Sequence, residues 1–169
     1  MKLTIGIVAL LLVSVLFYSF LKIDGRRRMR SEAFLSLPSL KLLKLDSATS
    51  VDIEKDSPSR PLLILYFSPD CEHCQEQTRR ILNNLDGLKD VSIYFLSPSS
   101  INELRGFSDS FHINKYPGIT IGRDYEYNFF NFFKIKGFPA IALYDAQHKL
   151  IRLFREEAEG GDIQYALRP

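Results

Sequence analysis

The sequence predicts an α/β domain with a central mixed sheet flanked by helices, an N-terminal hairpin extension and one preceding transmembrane helix. Three observations lead there. Apolar runs of strand length alternate with segments whose apolar residues recur at helical spacing, which is the pattern of parallel strands joined by helices. The last two apolar runs are separated only by the turn Asp145-Ala146-Gln147-His148 and Lys149, so the domain finishes on an antiparallel hairpin. The first thirty residues differ in composition from everything after them.

From Leu3 to Leu21 nineteen positions carry no charge, enough at helical rise to cross the roughly 30 Å hydrocarbon layer of a bilayer. A cleaved signal peptide would need a shorter apolar core and a small-x-small site, whereas Tyr18-Ser19-Phe20-Leu21 is bulky. Residues 1–22 are therefore read as a transmembrane anchor and 23–36 as a basic juxtamembrane linker. Residues 37–169 form the folded domain. The juxtamembrane basic residues Lys22, Arg26, Arg27, Arg28 and Arg30 suit lipid headgroups. They account for the excess of 22 basic over 20 acidic residues, because without the first thirty positions the count is 16 against 19. Nothing in that balance calls for a nucleic-acid partner.

Lys41 to Leu45 and Ser50 to Ile53 flank the turn residues Asp46 to Thr49 as a small hairpin, and Lys55 to Arg60 reads as a loop. Leu62 to Phe67 is continuously apolar, as expected of a strand covered on both faces. A helix follows from Glu72 to about Leu88, with Ile81, Leu82, Leu85 and Leu88 on one side and Gly87 marking its end. Val91 to Leu96 is a second core strand. Ser100-Ile101-Asn102-Glu103 has capping-box spacing and opens a helix toward Phe111. Ile119 to Ile121 is expected as a short edge strand, and Tyr125 to Phe133 as a helix packing Phe129, Phe132 and Phe133 inward. Ala140 to Tyr144 and Leu150 to Phe154 make the terminal hairpin, before a last short helix from Asp162 to Leu167.

Both cysteines of the chain fall in Phe67-Ser68-Pro69-Asp70-Cys71-Glu72-His73-Cys74, directly after the first core strand. A two-residue gap places two thiols at the first turn of a helix, where a disulfide can open and close with little backbone movement. Two cysteines are too few for a disulfide scaffold. The thirteen Phe and eight Tyr supply the core instead.

Cys71-Glu72-His73-Cys74 at a strand end, and Gly137-Phe138-Pro139-Ala140 opening the late hairpin, resemble the two signature segments of the thioredoxin fold. With the leading Leu37 to Asp46 segment and the anchor, the chain is similar to membrane-tethered TlpA/ResA-like thiol-disulfide oxidoreductases over about residues 37–167. The resemblance implies Cys71 as nucleophile, favoured as an anion by the helix dipole, and Cys74 as the resolving thiol. It implies that Pro139 is cis and that Phe138 lines the substrate groove. His73 would stabilise the Cys71 thiolate, while the carboxylates Asp70 and Glu72 oppose it. No cofactor and no metal are implied. The partners are protein thiols and disulfides and an upstream electron donor, with the domain acting as a reductant on the periplasmic, extracytoplasmic side. The positive-inside rule points the other way, with two positive groups before the span and five after it.

The motif departs from thioredoxins in having Asp70 before Cys71, a Glu-His interior, and no acid in Leu62 to Phe67 to relay protons. Glu76, or a water reached from Asp70, is a candidate proton carrier, with a solvated helix face as its plainer role. The rival chemistry is a copper chaperone using Cys71, Cys74 and His73 with His112 or His148. Against it, His112 sits at a helix end and His148 in a turn. A peroxiredoxin reading is weaker, because Ser68-Pro69-Asp70-Cys71 only loosely fits a Thr-x-x-Cys setting. A third alternative is a non-catalytic binding module.

Overall fold

The computed structural model describes Tyr18 and residues 35–168. The anchor expected over 1–22 and nearly all of the linker over 23–36 thus lie outside the described residues. Among those described, no helix is long and apolar enough to cross a membrane.

The first hairpin is β1 (Lys41–Lys44) and β2 (Ser50–Asp52), paired Leu42 to Val51. Its turn is held by Asp46, whose Oδ1 accepts the Ala48 and Thr49 N–H groups. A single helical turn, α1 (Ile53–Asp56), occupies the start of the expected loop, because burying Ile53 draws the chain back over Leu40. Next come β3 (Leu62–Tyr66), α2 (Glu72–Asn83), β4 (Ser92–Ser97), α3 (Ile101–Ser110) and β5 (Ile119–Arg123). The chain ends with α4 (Asn128–Phe133), β6 (Ala140–Tyr144), β7 (Leu150–Phe154) and α5 (Gly160–Ala166).

The seven strands form one mixed sheet in the order β2-β1-β5-β4-β3-β6-β7. The pairs β3–β4 and β4–β5 are parallel and the rest antiparallel. Alternation of side chains along β3 sends Leu63, Leu65 and Phe67 to one face, with Ile81 of α2, Leu104 and Phe107 of α3 and Ile163 of α5. Leu62, Ile64 and Tyr66 go to the other, with Phe129 and Phe133 of α4 and Leu40, Leu42 and Ile53. Because β3 is buried throughout, it carries no polar face, and each large apolar side chain there is worth about 1.5–3 kcal/mol on burial.

Three expectations are corrected. β5 is not an edge strand, because β1 pairs antiparallel to it through Leu43–Arg123 and Lys44–Gly122. The helix from Glu72 stops at Asn83 rather than Leu88, with Leu85–Leu88 tightening into a 3-10 turn that contains Gly87. The helix expected from Tyr125 begins only at Asn128, because Tyr127 takes the left-handed conformation (φ 56°) and the buried Asp124 caps the helix instead. The capping box at Ser100 and Glu103 is formed as expected.

Candidate active site

Parallel β3 and β4 need a helix between them, so the chain leaves the C-terminal end of β3 directly into the turn before α2. Antiparallel β6 starts at that same end, since Tyr66 pairs with Ala140. Register alone therefore sets residues 138 and 139 beside the turn that holds the two cysteines.

Cys71 is the N-cap of α2, with extended backbone (φ −83°, ψ 115°), and its Sγ accepts the Cys74 N–H at 3.2 Å. A sulfur there takes the place of the usual Ser or Asp oxygen, satisfying one of the unpaired donors of the first helical turn. The approach is fixed by the Cys71 N–H donating to the Ser68 carbonyl (3.3 Å) and Gln75 Nε2 donating to the Pro69 carbonyl (3.0 Å). Asp70 is exposed and accepts the Ser68 hydroxyl, a bond that holds its carboxyl below the usual carboxylate range.

Cys71 is half-buried and Cys74 fully buried, both as free thiols. The Cys74 thiol donates to Cys71 Sγ across 2.6 Å. Burial, and after it the hydrogen bond to Cys71, push the Cys74 thiol well above the ordinary range. On the far side of the cleft the Phe138–Pro139 peptide is cis, and the Cys71 thiol is directed at the Phe138 carbonyl at 3.8 Å. The Phe138 ring lies half-buried, 5.5 Å from the Tyr66 ring.

Of the residues singled out from the sequence, Cys71, Cys74, Phe138 and Pro139 are brought together. Glu72 is exposed in the first turn of α2. His73 is exposed too, and its Nδ1 stands 2.9 Å from Glu157 Oε2 rather than turning to a sulfur. Glu76 is tied to Arg79 (3.2 Å) and Arg80 (3.5 Å) on the outer face of α2, the plainer of its two expected roles. For a metal, the geometry lacks further ligands: among the described residues no three His, Cys, Asp or Glu side chains gather to hold an ion. His148 meets Ser57 Oγ at 3.2 Å, and His112 takes a left-handed turn (φ 53°) after α3.

Two supporting residues went unmarked in the sequence. Gln77 is buried, and its Oε1 accepts the Ala158 N–H at 2.7 Å, tying α2 to the segment before α5. Its position three residues after Cys74, on the face that also carries Thr78 and Ile81, was the signal available. Asp124 is also fully buried, accepting the Asn128 N–H (2.9 Å) and the Phe129 N–H (3.0 Å). Desolvation outweighs those bonds and raises its carboxyl above the ordinary value. The Tyr66 hydroxyl stands near enough to feel that charge, without completing a hydrogen bond to it.

No protein-family model and no curated protein matches the sequence. Solved structures do match. A secreted Mycobacterium tuberculosis disulfide oxidoreductase homologous to E. coli DsbE superposes with a TM-score of 0.63 at 12% identity, over 76% of this chain and 94% of that one. The thioredoxin domain of a Bacteroides vulgatus thiol-disulfide oxidoreductase gives 0.61 at 20% identity, over 76% and 89%. A peroxiredoxin-like protein from Aquifex aeolicus gives 0.62 at 16% identity, over 77% and 82%. What these neighbours share with this chain is the thioredoxin fold.

Proposed function

We propose that this chain is a thiol-disulfide oxidoreductase that passes electron pairs between its Cys71-Cys74 dithiol and protein substrates, acting as a reductant. The observation that carries the reading is the position of Cys71 Sγ, half-buried at the start of α2, bonded to the Cys74 N–H, and between the Cys74 thiol and the Phe138 carbonyl. The Cys71 thiolate attacks one sulfur of a substrate disulfide, and the second substrate sulfur leaves as a thiolate. Cys74, deprotonated as it reacts, then attacks Cys71 Sγ, releasing the first substrate sulfur and leaving a Cys71-Cys74 disulfide. The substrate has gained two electrons and the protein has lost them. An upstream dithiol donor then attacks the Cys71-Cys74 disulfide, and its second thiol resolves the resulting mixed disulfide, so that the donor leaves oxidised and both cysteines return as thiols.

The uncharged stretch Leu3 to Leu21 supports a membrane-tethered, TlpA/ResA-like arrangement. The extracytoplasmic side is favoured because disulfides persist there and need management, and because the Mycobacterium tuberculosis neighbour is a secreted protein. The arginines after the span oppose that orientation. The test is insulin reduction by the protein with a dithiol donor, in wild type and Cys71→Ser. Turnover lost in the variant supports the reading, and equal turnover in both overturns it. A reporter fused after residue 169 then fixes the side of the membrane.

A further inference from the structure

Beside the Phe138-Pro139 segment lies a cavity of about 330 Å³ lined by Lys134, Ile135, Lys136, Gly137, Ala140 and Arg155. Three of these are cations, and none of the three has a carboxylate within 4.0 Å among the described residues. Of the acids near Arg155 in sequence, Glu157 is engaged by His73 and Glu159 by Arg80 at 2.9 Å, while Glu156 is exposed and forms no ion pair with the three cations. Of the three side chains, that of Arg155 is held by the backbone. Lys134 ends α4 in the left-handed conformation (φ 52°), and Arg155 donates to the Phe133 (3.1 Å) and Lys134 (3.5 Å) carbonyls, closing that helix.

We infer that this cavity is a subsite for acidic side chains of the protein substrate, placed next to its reacting cysteine. The inference rests on the exchange reading and deepens it. Gly137 and Phe138 join the cavity to the carbonyl that faces Cys71 Sγ, so a substrate segment bonded to Cys71 must leave the sulfur past this backbone or away from it. An extended chain advances about 3.3 Å per residue, which carries an Asp or Glu two to four positions from the substrate cysteine over Lys136 and Lys134. Charges concentrated in a concave site act chiefly by steering and orienting a partner of opposite sign. Neutral or basic flanks gain nothing there.

The test uses disulfide-linked peptide pairs that differ only in two residues, Asp-Asp or Asn-Asn, placed before or after the cysteine. At low ionic strength the acidic form on one flank is expected to have a kcat/KM about fivefold or more above the neutral form, with the ratio falling toward one in 0.5 M salt. In the double variant Lys134→Gln/Lys136→Gln the ratio also falls toward one, with Arg155 kept because it closes α4. Anisotropy of the same peptides with Cys replaced by Ser reads binding without any redox step. The subsite is overturned if neither flank shows a preference, or if the preference survives the double variant. Preferential binding of acidic peptides without turnover of any of them keeps the subsite and overturns the exchange reading instead.

Discussion

The Phe138 carbonyl and the Cys71 thiol face each other across 3.8 Å, although 67 residues separate them in the chain. Their meeting follows from the antiparallel pairing of β3 with β6, which starts one strand where the other ends. A mixed disulfide on Cys71 would form against the main chain of Phe138. The sulfur behind it, Cys74, is buried.

That difference in access gives the first expectation. Under the proposed exchange, Cys74→Ser leaves the accessible thiol but removes the one assigned to release the partner, so mixed disulfides through Cys71 should accumulate. Non-reducing electrophoresis of the variant incubated with insulin should show the adduct, and Cys71→Ser should show none. Adducts of equal amount in both variants would contradict the division of roles.

Cys74 is held protonated first of all by burial, so its reactivity should stay low even without its neighbour. In Cys71→Ser at pH 8, alkylation of Cys74 should run at least ~10-fold slower than that of an unperturbed thiol, which is already partly ionised there. Mass spectrometry against time measures it. A rate equal to that in urea would show that packing does not protect the sulfur.

Asp124 links stability to pH. Its carboxyl is raised in the folded chain by desolvation, so above about pH 4 the unfolded chain gives up a proton that the folded one retains. Stability from this group therefore falls as pH rises through the window above the unfolded value. Asp124→Asn does not titrate. The stability difference between wild type and variant should move in favour of the variant between pH 4 and pH 7, as read by urea unfolding, and a constant difference would refute the assignment.

Gly122 is the contact point between the first hairpin and the rest of the sheet. A Cβ there would lie 2.4 Å from the Leu43 carbonyl oxygen and 2.5 Å from Leu42 Cδ2, and the backbone of β1 cannot yield as a flexible side chain does. Gly122→Ala should cost about 1–3 kcal/mol and speed proteolysis of residues 36–52. Unchanged melting temperature and protease resistance would show that the hairpin adapts.

Local patterns in the sequence carried most of the element order. Continuous apolar runs marked β3, β4 and β6, and Ser100 with Glu103 marked the start of α3, because these signals depend on neighbours within a few residues. The partners of β5 were not legible, since Ile119 to Ile121 reads the same with one neighbour or two. The late start of α4 was hidden for a related reason: Tyr125 to Phe133 has helical spacing, but a buried carboxylate at 124 sets where the first turn begins. At the site, the two cysteines and Pro139 stood out by type and position. The Glu157 partner of His73 lies 84 residues away, and no spacing rule reaches that far. Lys134 and Lys136 look like ordinary surface cations until Arg155 is brought beside them.

By lying along β5, the first hairpin moves the rim of the sheet outward to a strand of three residues, Ser50–Asp52. The opposite rim, β7, keeps Arg152 exposed, its guanidinium 4.7 Å from the Phe154 ring. Short or charged borders discourage strands of other molecules from adding on. Under the exchange proposed above, a partner chain bonded to Cys71 would meet margins on which its own strands find little to extend.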